Sequence, residues 1–234
     1  MNELWAVVPA AGFGRRMGSD LPKQYHEVAG AKLLEHTLRA LLQCPDIIGV
    51  VVALDPADHR AGTLPSLHDS RVQTTTGGAE RADSVLAGLD YLSKRGSSDD
   101  WVLVHDAARP CLSLEVLTAL INRARALNEG VILAQPVSDT LKSVSSNGTV
   151  KQTIERSNFW RAQTPQLFPL ETLRCALKDC IRKGIAVTDE AMAMELSGFA
   201  VTVLEGPPSN IKVTVEADLI FADFYLKQQL ESQT

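Results

Sequence analysis

Hydrophobic residues along this chain recur at two spacings, one typical of buried strands and one typical of amphipathic helices. Short apolar runs rich in β-branched residues predict strands at 6–8, 47–54, 101–104, 131–134 and 201–204, and the segment 72–76 can form another strand. Helical spacing of leucines and other apolar residues predicts the segments between them, at 34–44, 81–92, 113–127, 169–183 and 216–230. The alternation favours an α/β fold, Rossmann-like, with a mainly parallel twisted sheet flanked by helices. No repeat or linker divides the chain, so we expect a single domain over 1–234.

The alternation breaks between residues 140 and 155. Two extended segments there flank Ser146-Asn147-Gly148, and Asn-Gly is the strongest short-range hairpin signal. A hairpin that projects from an α/β core can act as a lid or can pair with a second subunit. We expect the β-hairpin arm over 137–160 to join two copies in a homodimer.

The first strand runs into a glycine loop that carries three cations. Residues 6–24 read AVVPAAGFGRRMGSDLPKQ. The loop fails the dinucleotide pattern G-x-G-x-x-G, because Met17 stands in place of the third glycine, and it also fails the P-loop pattern. Glycines still let backbone N–H groups approach phosphate oxygens. An anion site and an ordinary strand-to-helix turn with solvated arginines both remain open from the loop alone.

Further candidate positions follow other predicted strands, where ligands of such sheets bind. Gly77-Gly78 before a helix predicts free N–H groups for a phosphate or a base edge, with a hydroxyl from Ser84, although Glu80 could simply cap the helix. Asp106 with Arg109 could hold a ribose hydroxyl or metal and a phosphate, or the two could form an ion pair that fixes the turn.

Composition limits the function classes. The 234 residues carry a net charge of -5, which argues against a general nucleic-acid or acidic-membrane surface. The longest apolar runs are too short for a membrane span, and the N-terminus lacks a signal-peptide pattern, so we expect a cytoplasmic protein. The four cysteines lack metal-site spacing and are expected to be reduced thiols.

Motifs spread over most of the chain resemble one known family. They are PAAGFGRRM, PKQY, GGAERADSVLAGL, VHDAARP, DTLK, RAQTPQLF, TDEA and EGPPSNIKVT, between Pro9 and Thr214. This set resembles the 2-C-methyl-D-erythritol 4-phosphate cytidylyltransferases of non-mevalonate isoprenoid synthesis. At Ala79 the family often has an acidic residue.

The resemblance implies a reaction that joins CTP to 2-C-methyl-D-erythritol 4-phosphate and releases pyrophosphate, with Mg²⁺ held mainly by CTP phosphates and no firm protein ligand. It implies nucleotide binding by Ala10, Ala11, Gly12, Gly14, Gly78, Ser84 and Asp106. It implies acceptor binding by Asp106, Arg109, Thr140, Thr164, Lys212 and a partner subunit's Arg156. Arg16, Lys23, Arg156 and Lys212 are the expected catalytic residues.

Charge reasoning fits that reaction. A phosphate monoester has a second pKa near ~6 and needs no general base, so Arg and Lys side chains suffice for positioning and charge neutralisation. Two alternatives remain: a cytidylyltransferase for another polyol phosphate, such as ribitol phosphate, and a non-catalytic nucleotide-binding or dimeric regulatory module. The failed dinucleotide pattern argues against a hydride-transferring enzyme.

Overall fold

The computed structural model describes residues 2–12, 21–95 and 99–231. The strands in these ranges are β1 (Leu4–Pro9), β2 (Glu27–Val28), β3 (Ala31–Lys32), β4 (Ile47–Leu54), β5 (Val72–Thr76), β6 (Trp101–Val104), β7 (Gly130–Pro136), β8 (Leu141–Val144), β9 (Val150–Ile154), β10 (Trp160–Pro169) and β11 (Val201–Glu205). The helices are α1 (Leu33–Leu42), α2 (Arg81–Leu92), α3 (Leu114–Leu127), α4 (Leu170–Arg182), α5 (Glu190–Leu196) and α6 (Ala217–Glu231).

Seven strands form one sheet in the order β11-β7-β10-β6-β1-β4-β5. β10 pairs antiparallel with β6 and β7, and the other neighbours pair in parallel. The predicted α/β fold with a mainly parallel sheet is therefore confirmed. The carboxyl ends of β1, β5 and β6 lie at the same edge of the sheet, where the candidate motifs begin.

Helices cover both faces of this sheet. Because side chains alternate along a strand, Ala6 and Val8 of β1 pack with α1 and α3, whereas Val7 packs with α2, α4 and α5. All three side chains are fully buried, which explains the unbroken apolar run. None of the described helices combines the length and the apolar character that a membrane crossing needs.

Polar side chains cap the first turns of several helices. Ser113 accepts a hydrogen bond from the Val116 N–H at 3.3 Å and starts α3. Asp189 accepts from the Met192 N–H at 3.0 Å and starts α5. Glu80 and Asp83 form a reciprocal capping box at the start of α2. These contacts fix the first residue of each helix.

The sequence pattern does not identify β10, the one antiparallel strand among the described strands of the large sheet. A proline at position 165 and the polar residues around it interrupt the apolar pattern that is typical of a strand. Pairing with β7 shifts register between Ala162 and Gln166, so residues 163–165 leave the ladder. The buried polar side chains there hydrogen-bond to neighbouring segments of the candidate site, which explains how a partly polar strand lies at the centre of the sheet.

The predicted hairpin is present and forms its own two-stranded sheet. β8 and β9 pair antiparallel, and Gly148 in the connecting turn has a φ of +84°, which suits glycine. The Val137 N–H donates to the Phe159 carbonyl at 3.0 Å, which closes the base of the arm next to β7 and β10. The use of the arm in a dimer remains a prediction.

Candidate active site

The segments that follow β1, β5 and β6 meet at the predicted edge of the sheet and enclose a cavity of about 130 Å³. Seven residues predicted from the sequence line it: Ala10, Gly12, Lys23, Gly78, Ser84, Asp106 and Lys212. Ala11 lies beside it in a small neighbouring depression that also contains Gly12. Gly14 and Arg16 are outside the described residues.

A second cavity, of about 230 Å³, adjoins the first. It is lined by the predicted residues Asp106, Arg109, Thr164 and Lys212, together with side chains of β10 and of the segment before α5. Arg81, Asp106 and Lys212 border both cavities. The two spaces therefore share a wall made of charged side chains.

Asp106 lies at the centre of this wall and faces three cations. Its Oδ1 is 2.9 Å from Arg81 Nε, and its Oδ2 is 2.8 Å from Lys212 Nζ and 3.6 Å from Arg109 Nε. Burial alone would raise the pKa of the Asp106 carboxyl, but the neighbouring positive charges outweigh it and hold the pKa well below its ordinary value. Asp106 is thus ionised, and the predicted ion pair with Arg109 is present but is the longest of the three contacts.

The Arg81 side chain connects Asp106 to a buried glutamate. Arg81 Nη1 and Nη2 donate to the two carboxylate oxygens of Glu190 at 2.6 and 3.1 Å. Burial opposes the charge on Arg81, yet the Glu190 and Asp106 carboxylates raise its pKa above the ordinary value. Sequence reasoning missed both residues, because they are 109 positions apart and each lies at an ordinary helix start.

Arg109 is held by one end of its guanidinium. Nη1 donates to the Asn210 carbonyl at 2.7 Å, while Nε finds no hydrogen-bond acceptor among the described residues. Burial lowers the pKa of Arg109 despite the attraction of Asp106. The Arg109 side chain lines the second cavity, so its positive charge can attract an anionic ligand there.

Thr164 and His105 fix the backbone of Asp106. The Asp106 N–H donates to Thr164 Oγ1 at 3.0 Å, and that hydroxyl lies 3.0 Å from His105 Nδ1. His105 Nε2 lies 3.0 Å from the Arg109 carbonyl, which can only accept, so Nε2 donates and Nδ1 accepts. Burial lowers the pKa of His105 to about 4. The histidine is structural, and the Thr164 hydroxyl is occupied by this turn.

Close packing explains the glycine pair, but their N–H groups are not free. A Cβ on Gly77 would lie 2.5 Å from Ala11 Cβ, and one on Gly78 would lie 2.3 Å from Asp83 Cβ. The Gly77 N–H donates to the Leu54 carbonyl at 2.8 Å, and the Gly78 N–H donates to the Ser84 hydroxyl at 3.1 Å. The expectation of two free donors is wrong, because the end of β4 and the first turn of α2 already accept their hydrogen bonds. Ser84 in turn holds the Gly77-Gly78 segment through its hydroxyl.

Thr140 and Arg156 lie on the arm and are exposed. The Arg156 guanidinium donates to the Ser138 carbonyl, across the base of the arm. Neither residue is among the described residues that line the two cavities. A single copy of the chain thus brings together the other described candidates but leaves these two outside.

Gln24 is a further residue that sequence reasoning missed. Its buried side chain donates from Nε2 to the Ala10 carbonyl at 2.8 Å and ties the segment after the glycine loop to the end of β1. The PKQY motif contains this residue, but only Lys23 stood out as a cation. No sequence pattern distinguishes a glutamine with a buried, loop-fixing amide from a glutamine on the surface.

Comparisons with known proteins agree with this architecture. The family model of 2-C-methyl-D-erythritol 4-phosphate cytidylyltransferase (IspD) matches residues 4–228. The protein of that name from Photorhabdus laumondii is 46% identical over 233 residues, and the match covers 97% of this chain and 96% of that protein. The Vibrio vulnificus protein is 45% identical over 229 residues, and the match covers 98% of this chain and 97% of that protein. The crystal structure of the Francisella tularensis protein of the same name is 35% identical, with a TM-score of 0.83, and the match covers 96% of this chain and 100% of that one. The chain therefore belongs to the 2-C-methyl-D-erythritol 4-phosphate cytidylyltransferase family of nucleotidyltransferases.

Proposed function

We propose that this chain transfers the cytidylyl group of CTP to 2-C-methyl-D-erythritol 4-phosphate, in isoprenoid precursor biosynthesis. The products are 4-(cytidine 5'-diphospho)-2-C-methyl-D-erythritol and pyrophosphate. The observation that carries the proposal is the pair of adjoining cavities with a shared wall of Arg81, Asp106 and Lys212. A transfer between two substrates needs two sites in contact, and family membership supplies the identity of the substrates.

The reaction is an in-line displacement at the α-phosphorus of CTP. The acceptor phosphate is mostly a dianion at neutral pH, since its second pKa is near ~6, and needs no general base. One acceptor oxygen forms a bond to the α-phosphorus, the bond from that phosphorus to the bridging oxygen breaks, and pyrophosphate leaves with the electron pair. His105 takes no part, because both of its ring nitrogens are hydrogen-bonded in the interior.

The first cavity would take the nucleotide and the second the acceptor. Backbone groups of Ala10–Gly14 and Gly78 would approach the nucleotide, with Asp106 at the ribose. Arg109 and Lys212 would bind the acceptor phosphate, and Thr164 would act by holding Asp106. Lys23, Arg16 and Lys212 would neutralise the charge that develops during transfer. Support comes from the positions of the described members of this set around the two cavities.

Mg²⁺ would bind mainly through the triphosphate oxygens. Both Asp106 oxygens face cationic side chains, and the described residues contain no group of three or more His, Cys, Asp or Glu side chains that could hold a metal ion. Phosphate oxygens are the hard ligands that Mg²⁺ prefers. When bound, the ion would offset negative charge on the phosphates.

The arm would bring Thr140 and Arg156 of one copy to the acceptor site of another. Its two strands carry the exposed side chains of Val144 and Val150, which are direct cross-strand partners. Exposed apolar pairs on a projecting ribbon are suited to burial against a second chain. The proposed assembly is a homodimer through residues 137–160.

A pyrophosphate-release assay with each of the four ribonucleoside triphosphates and two acceptors tests the function. We expect release with CTP and 2-C-methyl-D-erythritol 4-phosphate, dependent on both, and far less with ribitol 5-phosphate. Equal turnover with ribitol phosphate would reassign the acceptor. CTP binding without any release would instead favour the non-catalytic module.

A further inference from the structure

We propose that Glu190 is a positioning residue for the transfer reaction, acting through Arg81 to fix the carboxylate of Asp106 between the two cavities. The inference rests on the proposed function and adds two residues to its machinery. Glu190 itself is buried to 1% exposure and is not among the residues that line either cavity in the described part of the chain.

Four side chains of alternating charge form a continuous line. Glu190 pairs with Arg81 at 2.6 Å, Arg81 Nε with Asp106 Oδ1 at 2.9 Å, and Asp106 Oδ2 with Lys212 at 2.8 Å. They come from the starts of α5 and α2, the end of β6 and the segment before α6. A displacement of Glu190 would therefore reach Lys212 through three short contacts.

Hydrogen bonds from β10 hold the Glu190 end of this line in place. Gln166 of β10 accepts from the Ala191 N–H at 2.9 Å and donates to Asp189 Oδ2 at 3.0 Å. The Asp189 side chain also caps α5. Both neighbours of Glu190 are thereby tied to the central sheet, so the carboxylate is presented to Arg81 from a fixed backbone.

The planar guanidinium of Arg81 couples the orientation of the Glu190 carboxylate to that of Asp106. Both η nitrogens of Arg81 bind Glu190, which leaves Nε directed at Asp106. Without Glu190, the η nitrogens would be available to the phosphates of a nucleotide, and Asp106 would lose its fixed partner. Because buried ion pairs contribute little net stability over apolar packing, the position of this one at a cavity wall points to positioning.

Glu190→Gln tests the inference because it keeps the side-chain volume and removes the charge. We expect kcat to fall about 10- to 100-fold, since misplacement of reacting groups by about 1 Å can cost about 100-fold. KM for each substrate should change less than about threefold, because the cavity-lining residues are unchanged. Glu190→Asp keeps the charge and should recover part of the lost kcat.

Glu171→Gln is the matched control, since Glu171 pairs with Arg174 through two contacts of 2.6 and 2.8 Å on the outer helix α4. It should keep the kcat of the unsubstituted enzyme. Arg81→Lys provides a second variant if Glu190→Gln does not fold. It should also lower kcat, but because Arg81 lines both cavities, its KM values are not expected to stay unchanged. A folded Glu190→Gln or Arg81→Lys protein with kcat within about twofold of the unsubstituted enzyme overturns the inference, even if its melting temperature is lower. An unsubstituted enzyme that releases no pyrophosphate overturns the proposed function and this inference together.

Discussion

A single carboxylate allows three cations to gather at the candidate site. Arg81, Arg109 and Lys212 would repel one another in a half-buried space, and Asp106 offsets this repulsion. Glu190 neutralises a second positive charge, so the five side chains together carry a net charge of +1. A polyanionic substrate therefore meets a locally positive wall on a protein whose overall charge is -5.

At the residue scale, Lys23→Ala should lower kcat about 100-fold while raising the KM for CTP much less. Lys23 lines the first cavity, and its interaction with the phosphates should strengthen as negative charge develops in the transition state. Arg16→Ala should behave alike. Steady-state pyrophosphate release measures both constants, with Lys227→Ala on the outside of α6 as the control. Unchanged turnover in both site variants would contradict the assignment.

His105 should make stability depend on pH in the mildly acidic range. Its pKa falls from 6.5 to about 4 on burial, so below pH 6.5 the unfolded chain binds a proton that the native state does not. The free energy of unfolding should therefore drop as pH falls through this window, by up to about 3 kcal/mol near the lower end. Asp106, whose pKa is lowered, loses its contribution only at more acidic pH.

Urea unfolding between pH about 5 and about 7 checks this dependence. His105→Asn should lower stability at neutral pH and show a flatter pH profile than the unsubstituted protein. The surface substitution His68→Asn serves as the control and should leave the profile unchanged. If the pH profiles of His105→Asn and the unsubstituted protein were parallel, His105 would not be the cause of the pH dependence.

At the scale of elements, sequence patterns predict what depends on local spacing. The parallel strands β1, β4 and β6 are apolar runs, and Asn147-Gly148 identifies the hairpin before any contact is known. The same reasoning does not identify β10, because its buried polar residues have partners that are distant in the sequence. Thr164 accepts a hydrogen bond from the Asp106 N–H, and Gln166 binds the start of α5. Its apolar half alone is too short to be distinguished from a helix start at Pro169.

The same limit applies to the candidate site. Glycines and cations identify the edge of the sheet, because only a few residue types can approach phosphates. They do not reveal that the N–H groups of Gly77 and Gly78 are already bonded, nor that Arg81 is bound to Glu190. Such pairings depend on which helices lie side by side, and therefore on the tertiary fold.

The arm should control the oligomeric state. Replacing Val144 and Val150 together by aspartate places like charges opposite each other on the exposed ribbon, which should separate the proposed dimer. Size-exclusion chromatography with light scattering at micromolar concentration measures the mass. Phe221→Asp with Phe224→Asp, at exposed positions of α6, is the control and should leave a dimer. A monomeric unsubstituted protein, or a dimer lost only in the α6 variant, would contradict the role of the arm.

At the scale of the whole molecule, the sheet has two parts joined by one strand. β1, β4, β5 and β6 pair with each other in parallel, as do β7 and β11. β10 hydrogen-bonds to β6 on one side and to β7 on the other. The chain reaches β10 only after passing through the arm, so β6 and β7 cannot join the same sheet until the arm has been traversed.

This strand order makes the protein a candidate for fragment complementation. A break between Asn147 and Gly148, in the exposed arm turn, would leave β7 in one fragment and β10 with β11 in the other. The second fragment would have to insert its first long strand between two strands of the first. We expect the two pieces, refolded together, to regain pyrophosphate release that neither shows alone, because each supplies the missing neighbour of the other. Failure to recover activity after co-refolding would mean that covalent continuity through the arm is needed to place that central strand.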